Sequence, residues 1–178
     1  STLANRTSHL SAFIKSFHQI TSLPKPNLIE VNLVHLVEGV ISLFKGQVNA
    51  ENIKLNWLVE SSSLVMADGA QLEQAMINII KNAIEAISTS ERKEITVKLY
   101  QTTQNSREQV LLDIEDSGKG IAKHVIEQVF IPFFTTKNNG SGIGLSLSRQ
   151  IMIQHGGDLN YIDKERSGAC FRLAFGMF

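Results

Sequence analysis

The longest helical pattern in this sequence covers residues 68–87, and it constrains the fold more than any other feature. Apolar residues recur there at spacings of three and four, as in a helix with one buried face. They are Leu72, Ala75, Met76, Ile79, Ile80, Ala83 and Ile87. Asp68 followed by Gln71 resembles a helix start, in which the carboxylate accepts free backbone N–H groups and the Gln71 amide reaches back.

The opposite side of this predicted helix bears a polar stripe. Gln74, Asn78, Asn82 and Glu85 follow one another at steps of four, four and three, which places them on one face. A stripe of this kind is ordinarily a solvated surface. Two asparagines are unusual on such a surface, because Asn competes for backbone hydrogen bonds. Since an amide oxygen is a neutral hard ligand, the stripe also suits Mg²⁺ that is already bound to phosphate oxygens.

Shorter patterns on both sides complete the list of predicted elements. Helices are predicted over 33–44, ending near Gly46, and over 122–128 and 143–155. Strands are predicted over 53–59, 64–66, 94–101, 109–115, 158–163 and 169–175, with a polar loop over 102–107. This order favours an α+β fold, a two-layer α/β sandwich, over a doubly wound parallel sheet.

Composition excludes several classes of protein. The 178 residues carry 17 Lys+Arg against 17 Asp+Glu, and a protein that binds nucleic acid usually has a basic excess. The single cysteine, Cys170, cannot form an intramolecular disulfide, which is typical of a reducing compartment. No run approaches 18 apolar residues, and no signal-peptide pattern is present.

The first 22 residues form a separate unit in this reading. Their apolar positions, Leu10, Phe13, Ile14, Phe17 and Ile20, have helical spacing, and the prolines at 24 and 26 end the pattern. We interpret this segment as the tail of a longer helix whose partner helix lies outside the chain. A surface helix docked on the domain is the alternative. The predicted division is therefore residues 1–26 and residues 27–178.

Two glycine-containing segments follow the predicted strand over 109–115. Residues 116–120 (Asp-Ser-Gly-Lys-Gly) are either a tight turn or a carboxylate beside backbone that a ligand can approach closely. Residues 140–145 (Gly-Ser-Gly-Ile-Gly-Leu) match neither the dinucleotide fingerprint nor the P-loop. They still place N–H groups at a helix start, where an anion binds favourably. Residues 130–137, with three phenylalanines around Pro132, predict a loop with an apolar anchor and a mobile tip.

Residues 78–86, 116–120, 130–137 and 140–145 together resemble, in order and spacing, the four sequence boxes of the sensor histidine kinase catalytic domain. The resemblance spans about residues 28–176. It implies the Bergerat-type ATP-binding fold, with a mixed, mostly antiparallel sheet covered by helices on one face and a flexible ATP lid. Type II topoisomerase, Hsp90 and MutL ATPases share that fold. Residues 1–26 are similar to the end of the second dimerisation helix of these kinases and its linker.

The resemblance also implies roles for individual residues. Asn82 is expected to coordinate Mg²⁺, and Asp116 to accept the exocyclic amino group of adenine. Lys137, in the lid, is expected to contact the γ-phosphate, which makes Asn82 and Lys137 the expected catalytic residues. Glu85 is left out of the phosphate shell, because a carboxylate near a triphosphate is unfavourable unless metal or solvent intervenes. The full set of expected nucleotide-binding residues is Asn78, Asn82, Asp116, Gly118, Gly120, Ile121, Thr135, Thr136, Lys137, Gly140, Ser141, Gly142, Ile143, Gly144 and Leu145.

The type of reaction depends on Asn78. In the topoisomerase-like ATPases, that position holds a glutamate that acts as general base for water, and an amide cannot take that role. We therefore expect transfer of the phosphoryl group to another nucleophile, since phosphoryl transfer depends mainly on positioning and charge neutralisation. A stand-alone ATPase, a protein-serine kinase of the anti-sigma type and a module that only binds nucleotide remain the alternatives.

None of the five histidines lies in the sequence context of the family's phosphoacceptor. We expect that acceptor on an upstream dimerisation helix, with His155 as a structural residue at the end of the last helix. The resemblance further implies a homodimer in the full-length protein, relay to an aspartate of a response-regulator receiver domain, and no nucleic-acid partner. It places this segment in the cytoplasm, with any membrane anchor supplied by upstream segments.

Overall fold

The computed structural model describes Ile14 and residues 22–61, 64–104, 107–137, 140–164 and 168–176. Most of the predicted opening helix, including His9 and His18, lies outside these residues. The elements are β1 (Ile29–Asn32), α1 (Leu33–Leu43), α2 (Lys45–Ala50), β2 (Lys54–Val59), β3 (Leu64–Ala67), α3 (Gly69–Ile87), β4 (Glu94–Gln104), β5 (Arg107–Asp116), α4 (Lys123–Ile126), α5 (Gly144–Gln154), β6 (Asp158–Tyr161) and β7 (Cys170–Gly176). None of the described helices is long and apolar enough to cross a membrane.

Five of the strands form one mixed sheet in the order β2-β4-β5-β7-β6. The β2–β4 pair is parallel, and the other three pairs are antiparallel. β1 and β3 form a separate two-stranded antiparallel sheet. The predicted α+β architecture is confirmed. β1 had no counterpart in the prediction, because four residues are too few to show a period.

The core lies on one face of the five-stranded sheet. Alternate residues of two inner strands are fully buried there, namely Ile95, Val97 and Leu99 of β4 and Val110, Leu112 and Ile114 of β5. The buried sides of α1, α3 and α5 belong to the same cluster, so these helices cover that face. The other face is polar, and Arg172 pairs there with Asp113 at 2.7 Å between Nε and Oδ1.

The β4–β5 hairpin is longer than the sequence predicts. Residues 102–104 and 107, which were expected in a polar loop, continue the ladder through the Thr102–Gln109 and Gln104–Arg107 pairs. That expectation was wrong, because Gln101, Thr103 and Glu108 are exposed at the hairpin end and show no buried face. Backbone pairing continues where the hydrophobic period stops.

Asp68 caps α3, as predicted. Its Oδ1 accepts hydrogen bonds from the N–H groups of Ala70 (3.1 Å) and Gln71 (3.2 Å). Its Oδ2 accepts one from Asn27 N–H (3.0 Å), and the Asn27 bond is the largest of the effects that lower the pKa of this carboxyl. The prediction for the Gln71 side chain was wrong, since its amide donates to the Pro24 carbonyl (3.0 Å) instead of reaching back. This contact ties the segment before β1 to the start of α3.

His155 ends α5 and connects it to the same cap. Its buried ring accepts a hydrogen bond from Asp68 N–H at Nε2 (3.0 Å). The Nδ1 atom lies 2.7 Å from the Ile151 carbonyl, which fits a neutral ring that donates from Nδ1. His155 therefore occupies the structural position that the sequence predicts for it, at the end of α5.

Candidate nucleotide-binding site

One cavity of about 600 Å³ lies between α3, the end of β5, the segment 129–137 and the start of α5. This volume is ordinary for a small-molecule site. Every residue of the predicted nucleotide-binding set lines it except Gly118. The lining members of that set are Asn78, Asn82, Asp116, Gly120, Ile121, Thr135, Thr136, Lys137, Gly140, Ser141, Gly142, Ile143, Gly144 and Leu145. The four sequence boxes, which extend from residue 78 to residue 145, therefore meet around one cavity.

Asp116, the last residue of β5, lies at one end of the cavity and is 5% exposed. Its Oδ1 accepts backbone N–H bonds from Gly118 (2.8 Å) and Ala169 (3.3 Å). Burial raises the pKa of this carboxyl, and the two N–H bonds oppose that rise. Because no described residue donates to Oδ2, that oxygen is the acceptor available to a ligand.

Two glycines support the position of Asp116. Gly118 packs against the Ala86 carbonyl oxygen and serves the site through its N–H bond, not as part of the cavity wall. Gly168 has φ +112°, and a Cβ there would lie 1.9 Å from the Asp116 carbonyl oxygen. From the sequence alone, Gly168 was assigned no role in the site. The close approach depends on how residues 168–169 pack against the end of β5, which no local pattern reveals.

An apolar wall, which the sequence reasoning missed, lies beside Asp116. It consists of Ala86, Ala122, Val125, Val129, Phe134, Ala169 and Phe171. The phenylalanine-rich segment contributes Phe134 to this wall. Phe130 is its apolar anchor, since it packs edge-on against Phe171 with ring centroids 6.2 Å apart. A planar apolar group with polar edges fits this end of the cavity, because its ring faces would meet carbon and its edge would meet Asp116.

The residues of the polar stripe of α3 make different contacts. Asn78 Nδ2 donates to the Gly144 carbonyl and to Ser148 Oγ, both at 3.3 Å, and so joins α3 to the first turn of α5. Asn82 lines the cavity one turn later. Lys81 lines it too, and the sequence reasoning missed this residue although it precedes Asn82 directly. Gln74 does not line the cavity.

Another part of the cavity wall combines the start of α5 with residues 134–137 of the expected lid segment. No described side chain caps α5, so its first N–H groups face the cavity from a helix start without a competing acceptor. Phe133 N–H donates to the Gly142 carbonyl at 2.9 Å, which closes the base of the segment between them. Gly142 has φ +69°, and a Cβ there would lie 2.5 Å from the Phe133 carbonyl carbon. Phe133 itself has φ +68°, an uncommon value for a bulky residue.

Lys137 crosses from the lid segment to α3. Its Nζ donates to Asn82 Oδ1 at 2.8 Å and to Glu85 Oε2. Glu85 therefore belongs to the cavity wall, although the sequence reasoning left it out of the phosphate shell. Asn82, Glu85 and Lys137 are thereby brought together at one point of the cavity wall.

The oxygen atoms that meet Lys137 Nζ suit a hard divalent cation. Asn82 and Glu85 offer an amide and a carboxylate oxygen, which are oxygen ligands of the kind that Mg²⁺ prefers. Among the described residues, no group of three or more His, Cys, Asp or Glu could hold a metal ion. A cation here would therefore take most of its ligands from phosphate oxygens and water, as Mg²⁺ does at nucleotide sites.

The fold and the cavity define a nucleotide-binding α/β sandwich. Residues 67–177 match the family model described as "Histidine kinase-, DNA gyrase B-, and HSP90-like ATPase", and the chain belongs to this family. Within it, the chain is similar to the ATP-binding catalytic domains of sensor histidine kinases, as the resemblance predicted.

Individual relatives support this assignment. The sensor protein FixL of Bradyrhizobium diazoefficiens is 34% identical over 143 residues, which cover 80% of this chain and 28% of FixL. The catalytic domain of the histidine kinase ThkA is 32% identical, with a TM-score of 0.74 and coverage of 84% of this chain and 95% of that domain. A structure of ThkA in complex with the response regulator TrrA is 27% identical, with a TM-score of 0.73, and matches 99% of this chain and 50% of that chain. The chain thus spans under a third of FixL.

Proposed function

We propose that this domain binds ATP with Mg²⁺ and supplies its γ-phosphoryl group to a histidine on an upstream dimerisation helix. The observation that carries the proposal is the two-ended cavity. Asp116 offers an acceptor for the adenine amino group beside an apolar wall, and the uncapped start of α5 lies at the other end with Asn82. The fold thereby fixes the separation between the group proposed to bind adenine and the helix start proposed to bind the phosphates.

In this reaction the bond between the γ-phosphorus and the bridging oxygen breaks, and ADP leaves with that oxygen. The lone pair of the unprotonated imidazole nitrogen forms the new N–P bond, and the phosphorylated ring then loses the proton of its other nitrogen to solvent. The chain supplies orientation and charge neutralisation, with Lys137 as the candidate contact to the γ-phosphate. When bound, Mg²⁺ supplies further neutralisation of the phosphate charge.

Asn78 supports transfer over hydrolysis. Its amide is engaged with Gly144 and Ser148 and has no proton-accepting group that could activate water. A phosphoacceptor histidine needs no such base, because the attacking imidazole nitrogen already carries a lone pair.

The partners follow from the same assignment. We infer that the acceptor helices belong to a dimerisation region of a longer protein that is a homodimer, and that the phosphoryl group passes on to an aspartate of a response-regulator receiver domain. The ThkA–TrrA complex supports this last step by similarity. The domain faces the cytoplasm, and any membrane anchor lies in upstream segments.

The test uses radiolabelled ATP and the chain extended upstream through the proposed acceptor helices. Acid-labile, base-stable label on a histidine is the expected result. Label released as free phosphate would favour a stand-alone ATPase, and label on a serine of an added protein would favour the anti-sigma type of kinase. Nucleotide binding without any label transfer would indicate a module that only binds.

A further inference from the structure

Glu85 is the one acidic side chain on the polar stripe of α3, and the proposed function gives it no role. It lies one turn after Asn82 and lines the same cavity. A bare carboxylate at this position would repel the triphosphate that the cavity is proposed to hold. Its presence therefore calls for a cation between the carboxylate and the phosphates.

The structure shows where such a cation can sit. Asn82 Oδ1 and Glu85 Oε2 both accept hydrogen bonds from a single atom, Lys137 Nζ. Two oxygens from residues three apart on α3 thus converge on one positively charged point. One of them is neutral and the other carries a charge.

The Glu85–Lys137 pair can be exchanged at little cost. The Glu85 side chain is 58% exposed and that of Lys137 is 45% exposed. Ion pairs with this exposure contribute little to stability, because water and salt screen them. A divalent cation that is also held by phosphate oxygens can therefore take the place of the ammonium.

We propose that Glu85 is a second protein ligand, beside Asn82, for the divalent cation that accompanies ATP, either directly or through one ordered water. A cation bound to both oxygens excludes Lys137 Nζ from them, and the freed ammonium then faces the γ-phosphate. Every charge keeps an opposite partner in this arrangement: Glu85 pairs with the metal, and Lys137 pairs with phosphate. The inference rests on the proposed function and adds the identity of a metal ligand.

The experiment measures the affinity of a non-hydrolysable ATP analogue by calorimetry, once with Mg²⁺ and once with EDTA. The dissociation constant with EDTA divided by the one with Mg²⁺ reports how strongly metal binding and nucleotide binding are coupled. Three variants are compared with the original chain: Glu85→Gln, Lys137→Gln and, as the matched control, Glu73→Gln. Glu73 lies on α3 but does not line the cavity.

Glu85→Gln is expected to reduce this ratio by about tenfold or more, as loss of a metal-supporting carboxylate does. Lys137→Gln is expected to weaken nucleotide binding while it keeps the ratio, and Glu73→Gln is expected to change neither quantity. Because Glu85 is exposed, its replacement does not threaten folding.

Two results would overturn this inference and leave the proposed function intact. An unchanged ratio in Glu85→Gln would show that the carboxylate does not hold the metal. An equal loss of the ratio in Glu85→Gln and Lys137→Gln would show that the ion pair, and not the metal, explains the effect. Failure of the original chain to bind the analogue with Mg²⁺ would instead refute the proposed function itself.

Discussion

The two ends of the cavity are built in different ways. At the proposed nucleoside end, Asp116 is buried and two backbone N–H groups hold one of its oxygens. At the proposed phosphate end, Glu85 and Lys137 are about half exposed and meet through long side chains. The first end is fixed before any ligand arrives, which favours selectivity among bases. The second can rearrange around a cation and phosphates.

The largest expected effect on ATP affinity comes from Asp116→Asn, which alters the fixed end of the cavity. The two N–H bonds to Oδ1 would orient the asparagine carbonyl toward Gly118 and Ala169, so its NH₂ group would replace Oδ2. A donor would then face the adenine amino group, which is also a donor. We expect affinity for ATP to fall about 10- to 100-fold, the range for a lost hydrogen bond to a charged group, while affinity for GTP changes less. Calorimetry with both nucleotides measures this.

The matched control for that variant is Glu115→Gln. Glu115 precedes Asp116 on β5 and pairs with Lys164, away from the cavity. Its replacement should leave both affinities as they are. Unchanged ATP affinity in Asp116→Asn would mean that the nucleoside does not bind at this end.

The next effect concerns the base of the lid and uses two glycines from one segment. In Gly142→Ala, the new Cβ would collide with Phe133 at a backbone conformation that costs about 1–2 kcal/mol for an L-residue. Faster hydrogen exchange at Phe133 N–H and weaker ATP binding are expected. In Gly144→Ala, the Cβ would make an ordinary contact with Asn78 at 3.7 Å, so exchange at Phe133 should not change. Equal exchange in the two variants would contradict this role of Gly142.

The sequence predicted most of the residues that line the cavity, because these residues belong to motifs. The Asp116 box and the glycine-rich box each have a local spacing that marks where the backbone must come close to another group. Gly168 and the apolar wall were missed, because the approach of Gly168 to Asp116 and the position of the wall depend on the pairing of β5 with β7 and on the packing of the phenylalanine-rich segment.

The phosphate end was predicted less completely for a different reason. The stripe on α3 was correctly placed on one face, but sequence spacing cannot tell which member bonds to another element. Asn78 bonds to α5, and Glu85 meets a lysine that is more than 50 residues away. Both contacts depend on the way that the lid segment and α5 pack against α3.

Asn78→Ala tests the contact between α3 and α5 and is expected to have a smaller effect. It removes the amide that bonds to Gly144 and Ser148, so the start of α5 would lose one anchor. Loss of a hydrogen bond of this kind costs about 0.5–1.5 kcal/mol, which corresponds to a loss in Mg-ATP affinity of about two- to tenfold. Gln74→Ala, one turn earlier on the same stripe and outside the cavity, should leave the affinity unchanged. An effect in both variants would point to a general loss of helix stability.

The smallest expected effect is a pH dependence that belongs to the fixed end alone. Burial raises the pKa of Asp116, and the proton would bind at Oδ2, since Oδ1 already accepts two N–H bonds. Protonation turns the ligand-facing acceptor into a donor, so the ionised form is the one that binds the nucleoside. Affinity should therefore be constant at pH values well above this pKa. It should be about half of that constant value when the pH equals the pKa, and it should decrease further at lower pH. The measurement uses adenosine, because it carries no phosphate and so does not engage Lys137 or the metal. Asp116→Asn should remove the dependence, and a dependence that persists in that variant would assign the titration to another group.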